Sequence, residues 1–166
     1  MNNKNDQPYD RVDKWISDLA TNIDDIEWYS IINESYRCTK SVYVRSFIYR
    51  FAMRDIFPNK RLFVMKLVDS PLCKKCKTSD DNIIHMFWEC ETVQQIWKDL
   101  LSWLKDTLQL EISMDAPAIL LFYNLEIDVE YFKVIILCLT LSKLAIYQHA
   151  DSECPTNINY INKSNL

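Results

Sequence analysis

A mainly α-helical domain with a small metal-stapled module in its middle is the fold class this sequence predicts, and three observations predict it. Apolar residues recur at helical spacing along most of the chain. They make up 49% of 166 residues, with 13% aromatic, which is ample for a packed core and too hydrophobic for a disordered chain. Cys73, Cys76, His85 and Cys90 stand at C-x2-C-x8-H-x4-C within SPLCKKCKTSDDNIIHMFWEC. Zinc takes thiolate and imidazole ligands at about 2.3 and 2.0–2.1 Å in a closed tetrahedron, and two short ligand pairs joined by a loop satisfy that geometry without strain. The expected cofactor is therefore one Zn2+.

The elements follow in order. Residues 1–12 read as a disordered, polar N-terminus, and a single helical domain spans 13–150, with the zinc module at about 70–92 and a disordered tail over 151–166. Trp15, Leu19, Ile23 and Ile26 recur at helical spacing, and IEWYSIINESYR repeats the pattern, giving one or two short helices that end near Cys38. Thr39 or Ser41 caps the next helix, VYVRSFIYRFAMRDIF, which turns Val44, Phe47, Ile48 and Phe51 to one face and Arg50 and Arg54, with Arg45 nearby, to another. Pro58 marks a boundary, and NKRLFVMKLVDS offers a further short helix or turn ahead of the metal module.

Within the module SPLCKKC reads as a tight turn, KTSDDN as a loop and IIHMFWEC as the start of a helix. His85 and Cys90 are five residues apart, an offset of about 140° on a continuous α-helix, so the helix must bend or begin between them. VQQIWKDLLSWLKDTL is amphipathic, with Ile96, Leu100, Trp103, Leu104 and Leu108 inward. Pro117 separates it from AILLFYNL, and Asp128 opens a long last helix. Its run VIILCLTLSKLAIY is short for a bilayer and contains Lys143, so a buried helix is expected and no membrane span.

Composition constrains the setting. Cys38, Cys138 and Cys154 remain outside the cluster; three thiols do not pair off, and no leader peptide precedes them, so an intracellular location, nucleus or cytoplasm, is expected. The chain contains no glycine. Its turns are then expected to rely on Asn, Asp, Ser and Pro.

The net charge of -4 hides a marked asymmetry: from Arg37 to Lys77 there are eleven Lys or Arg against Asp55 and Asp69 only. Basic blocks of this kind mark surfaces for nucleic acid or for an acidic partner. Arg45, Arg50, Arg54, Lys60, Arg61, Lys74, Lys75 and Lys77 are the candidate phosphate contacts, and Trp88 or Phe87 the candidate stacking side chain. Three thiolates and one Zn2+ leave a net charge of -1, which Lys74, Lys75 and Lys77 would offset.

The segments KWISDL, IEWYSII, VRSFIYR, PNKRL, HMFWEC and IW occur here in the same order as in the zinc-binding region that follows the reverse transcriptase of LINE-type (non-LTR) retrotransposons, and residues 13 to 148 resemble that region. Two departures stand out. Pro58-Asn59-Lys60-Arg61 replaces a proline directly before the arginine-leucine pair, and Asp80-Asp81-Asn82 replaces the usual loop glycine.

The resemblance implies a zinc-stabilised accessory domain that binds RNA or single-stranded or target DNA, in the company of a retrotransposon polyprotein, without catalytic residues of its own. The chain has no paired-aspartate polymerase motif and no endonuclease constellation, and begins with its own methionine, so a lone remnant or a separately expressed derivative is expected. A catalytic zinc is disfavoured because four protein ligands close the shell and Glu89 is not placed in the deaminase order; His149, at a helix end, reads as solvent-facing. Two alternatives stay open: a zinc-stabilised helical protein-interaction scaffold, and an inactive element remnant.

Overall fold

The computed structural model describes residues 8–125, 127 and 129–150. Seven α-helices are placed there: α1 (Pro8–Leu19), α2 (Asp25–Arg37), α3 (Val42–Ala52), α4 (Asn59–Val64), α5 (Glu91–Leu108), α6 (Ala116–Leu121) and α7 (Val129–Gln148), with a π-turn at His85–Glu89 between α4 and α5. No strand occurs among the described residues, and the only ladder element there is an isolated antiparallel bridge, Leu72 to Asp80. The mainly helical expectation holds. No helix among the described residues is long and apolar enough to cross a membrane.

Local chemistry explains the starts. Asp24 and Glu27 form a reciprocal capping box on α2, Ser41 rather than Thr39 caps α3, and the Asp115 carboxylate accepts from the Ala118 N–H of α6 at 2.9 Å. Pro117 sits inside the first turn of α6, where a missing N–H costs nothing, so it opens this helix rather than dividing two elements. The N-terminal boundary also moves: Pro8–Val12, expected to be disordered, form the opening turns of α1. Residues 1–7 and the tail 151–166 lie outside the described residues, as does Asp128.

Helix ends overturn the expectation about turns. Among the described residues seven non-glycine positions have positive φ: Ala20, Arg54, Lys66, Lys77, Gln109, Phe122 and Asn124. Only Asn124 is of the expected type. After α1, α3 and α4 the backbone bonds Thr21 N–H to Ile16, Asp55 N–H to Arg50 and Leu67 N–H to Leu62 close the six-to-one link of a Schellman motif, with Ala20, Arg54 and Lys66 at the position that glycine normally fills. Left-handed backbone costs an L-residue roughly 1–2 kcal/mol, and this chain bears that cost repeatedly.

The core is aromatic at its centre. Trp15 of α1, Phe51 of α3 and Phe87 of the π-turn form a ladder, with centroids 5.2 Å apart for the first pair and 4.9 Å, edge to face, for the second. The Trp15 indole N–H donates to the Ala52 carbonyl at 2.9 Å, tying α1 to the end of α3. Helices α2, α3 and α7 pack together, while α5, α6 and α7 close around the π-turn. The expected apolar stripe of α3 is confirmed, since Val44, Phe47, Ile48 and Phe51 are all buried.

On α5 the inward set is rotated. Trp103 is 45% exposed, contrary to expectation, whereas Trp97 is fully buried and donates its indole N–H to the Phe87 carbonyl at 2.8 Å. Val93, Ile96, Leu100 and Leu104 complete that face. The apolar run of α7 lies in the core as expected, and Lys143 goes in with it: its ammonium is buried, lies 3.7 Å from the Phe122 ring centroid, and donates to the Ile119 and Leu120 carbonyls at the end of α6. It satisfies carbonyls that a helix end otherwise leaves bare.

Candidate metal centre

The ligand atoms of Cys73, Cys76, His85 and Cys90 all lie within 4.8 Å of one another. Cys73 Sγ is 3.9 Å from Cys90 Sγ, and Cys76 Sγ is 3.3 Å from His85 Nε2. A zinc tetrahedron with these donor types has edges of about 3.5–3.8 Å. The four side chains fit such an ion, and the predicted ligand set is the one the fold assembles.

Two different arms supply it. The first is a knuckle after Pro71, closed by Cys73 N–H to the Ser79 carbonyl at 2.9 Å and by Lys77 N–H to the Cys73 carbonyl at 2.8 Å, with Lys77 left-handed. Its backbone amides point at sulfur. Burial is the largest influence on Cys73 and pushes its thiol up to about 11, against lowering by the amides of Cys76 and Lys75. Burial also acts upward on Cys76, but hydrogen bonds from the Thr78 hydroxyl and amide, the Ser79 amide and His85 together outweigh it and bring this thiol down to about 6. A bound cation draws both to thiolates, because a coordinating thiol is deprotonated outright.

The second arm resolves the angular problem that the sequence posed. His85 to Glu89 is wound as a π-turn, with Cys90 N–H donating to the His85 carbonyl at 3.1 Å. An i to i+5 bond stacks residues five apart above one another, where an α-helix would swing them to different sides. Cys90 then leaves the turn with extended backbone (φ -63°, ψ 126°), and its carbonyl accepts the first bond of α5 from Gln94 at 2.8 Å. The metal ligand is thus also the residue on which an 18-residue helix starts.

His85 is positioned from both sides. Its backbone N–H donates to the Asn82 side chain at 2.9 Å, and its Nδ1 lies 3.9 Å from a Glu89 carboxylate oxygen, leaving Nε2 toward the sulfurs. A carboxylate behind the ring often orients a metal-ligating histidine, though at this separation Glu89 makes no direct hydrogen bond to it. In the sequence Glu89 stands out only as a possible catalytic base, and its place behind His85 becomes visible in the fold.

The module is woven into the domain and is not an appendage. Phe87 and Met86 are buried in the main core. Asp81, itself buried, accepts from the Asn59 N–H at 2.9 Å and, through its carbonyl, from the Lys60 N–H at 3.1 Å, while the Asn59 amide donates to the Leu72 carbonyl at 2.9 Å. These bonds fix the start of α4 against the metal loop. The orientation of Lys60 and Arg61 therefore depends on how that loop is folded.

The basic candidates separate. Lys60 is half-exposed and pairs with Asp80 at 3.0 Å; Arg61, 43% exposed, pairs loosely with Asp55 and lies over the Phe57 ring. Lys74 and Lys77 are exposed on the knuckle, and Lys75 reaches the Ile146 carbonyl of α7 at 3.3 Å. Arg45 holds the Thr39 carbonyl, and Arg50 lies over Tyr147. Arg54 does not share a helix face with Arg50 as expected, because α3 stops at Ala52. It folds back onto α1, over Trp15 and against Asp18 at 2.5 Å, with its side chain only 11% exposed. Trp88 is half-buried against the core, and Phe87 is fully buried, which removes it as a stacking platform. His149, half-buried in the turn that follows α7, is not part of the ligand cluster.

Comparison with known proteins now gives this constellation its family. Residues 13–97 match the family described as zinc-binding in reverse transcriptase, so the chain belongs to that family, and Zn2+ is its metal. The match ends at Trp97, short of the 148 to which the resemblance was expected to extend.

Proposed function

We propose that this zinc-binding domain of the reverse-transcriptase type is a non-catalytic accessory unit that binds RNA or DNA through a basic face built around its metal module. One observation carries the reading: the buried Asp81 of the metal loop receives the backbone amide of Asn59, so the same loop that brings the ligands together sets the direction of Lys60 and Arg61. Zinc when bound supplies a fixed charge and a closed tetrahedral staple. A complete set of four protein donors leaves no position for a substrate water, which supports a structural role. Phosphate contacts by Lys and Arg release condensed counterions, so affinity falls steeply with salt.

The test is fluorescence anisotropy of the zinc-loaded protein with a 20-nucleotide single strand across a salt series. With about five phosphate contacts the slope of log K against log salt is about -3.5. A flat salt response, or no retention at 50 mM salt, overturns the reading.

A second reading has its own support. Phe63, Val64, Met65 and Leu67 on and after α4 are 43–76% exposed, an apolar strip of the kind that marks protein contacts. Salt-insensitive association through that strip would favour a helical interaction scaffold.

A further inference from the structure

A groove of about 770 Å³ that none of the metal ligands enters is bounded by α1, the turn after α3, α4 and the stretch leading into the π-turn. Two of its cationic side chains, Arg11 and Lys14 on α1, fall outside the basic block from Arg37 to Lys77, in the acidic part of the chain. Lys60 and Arg61 face them from α4. Arg11 is held in place by donating to the Met53 carbonyl at 2.7 Å, which uses one of the five N–H donors a guanidinium carries. Arg54 also lines the groove but is locked to Asp18 and Trp15. Arg45, Arg50 and the three knuckle lysines do not line the groove.

The walls are not uniformly positive. Asp18, Asp55 and Glu89 also reach the groove, Asp18 already paired with Arg54, as does the Asn82 side chain. Carboxylates repel phosphate but accept hydrogen bonds from a hydroxyl donor, and the group that distinguishes RNA from DNA along every nucleotide is the 2′-hydroxyl. A trench meant for any polyanion gains nothing from them. The pairs now formed, Lys60 with Asp80 and Arg61 with Asp55, are half-exposed and weak, so exchanging a carboxylate for a phosphate costs little.

We infer that this groove between α1 and α4 seats a strand of single-stranded RNA, with Arg11, Lys14, Lys60 and Arg61 on its phosphates and Asp55 and Glu89 accepting from its 2′-hydroxyls. The inference rests on the nucleic-acid reading above and narrows it. The metal loop forms one wall, through Asn82, Ile83 and Ile84 immediately before His85.

The experiment uses the zinc-loaded full chain and a labelled 20-nucleotide RNA of mixed sequence beside the DNA of the same sequence. Variant K14E/K60E changes two exposed side chains, and zinc stoichiometry and circular dichroism verify that it folds; K98E/K133E, on exposed positions of α5 and α7 away from the groove, is the comparison. The groove variant is expected to lose at least tenfold in RNA affinity and the comparison variant less than threefold. RNA is expected to bind at least fivefold tighter than DNA, and D55A to narrow that ratio. Wild-type binding that the groove variant leaves unchanged, or equal affinity for RNA and DNA, overturns the groove while the broader reading survives. Failure of the wild type to bind either strand overturns both.

Discussion

The two arms of the metal centre reach the same ion by opposite means. The Cys73–Cys76 arm is a surface knuckle whose order comes from backbone amides aimed at sulfur and from a left-handed Lys77. The His85–Cys90 arm is a π-turn buried by α5, α6 and α7 and anchored by Phe87 and Trp97. One arm is ordered mainly by hydrogen bonds, the other by the core. Zinc in this domain is then expected to tie a polar loop, and α4 with it, to a hydrophobic body that carries the other half of the site.

The largest effect expected from this contrast follows chelation. Metal-binding energy in such modules is folding energy, of order 10 kcal/mol for closed structural sites. Removal of zinc should release fast hydrogen exchange across residues 59–80 while amides of α5 and α7 stay protected. Uniform loss of protection in both arms would erase the distinction.

Next comes the anchor of the buried arm. Trp97→Phe strands the Phe87 carbonyl and leaves a partial cavity, so it should cost about 2–3 kcal/mol in urea unfolding, with zinc still bound at one equivalent. A loss of metal in this variant would show that the π-turn is no more autonomous than the knuckle.

Beneath the same arm, Lys143 provides a pH test. Burial holds its ammonium well below the usual lysine range. With the folded value depressed, the unfolded chain binds the extra proton, and stability rises with pH across the interval from the depressed value up to about 10.5, above which no further gain accrues. Wild-type unfolding free energy should thus increase from pH 7 to pH 10, and Lys143→Met should flatten the curve, with an offset of roughly 1–2 kcal/mol from the two α6 carbonyls left bare. A slope that persists in the variant would assign the dependence to other groups.

Glu89→Gln isolates the orientation of His85. Removing the carboxylate behind the ring should weaken zinc by about tenfold in competition with a chromogenic chelator, near the low end for outer-shell changes. The smallest change belongs to the knuckle. Lys77→Gly relieves a left-handed residue and should raise the melting temperature by about 2–3 °C, equivalent to about 1 kcal/mol.

Much of this was readable from the chain. Ligand identity followed from spacing alone, and the 140° offset of His85 and Cys90 signalled that an α-helix could not serve, although HMFWE carries no mark that selects a π-turn over a bend. The fate of Arg54 was hidden for a related reason: α3 ends without the glycine that announces a Schellman turn, so the periodicity of VRSFIYRFAMR appeared to run on. Trp97 and Trp103 occupy neighbouring stripes of one amphipathic helix, and only the position of Phe87 decides which faces inward. Asp81 looked like loop filler because its partner, Asn59, lies 22 residues earlier.

Cys90 ends the π-turn and begins α5 in the same residue. A helix of 18 residues is about 27 Å long, so a tilt of about 5° at its sulfur sweeps the far end near Leu108 through about 2 Å. A zinc ion bound at Cys90 would stand at the foot of that lever, where small differences in bond length would be magnified toward the opposite pole of the molecule unless the buried Trp97 and Phe87 absorb them.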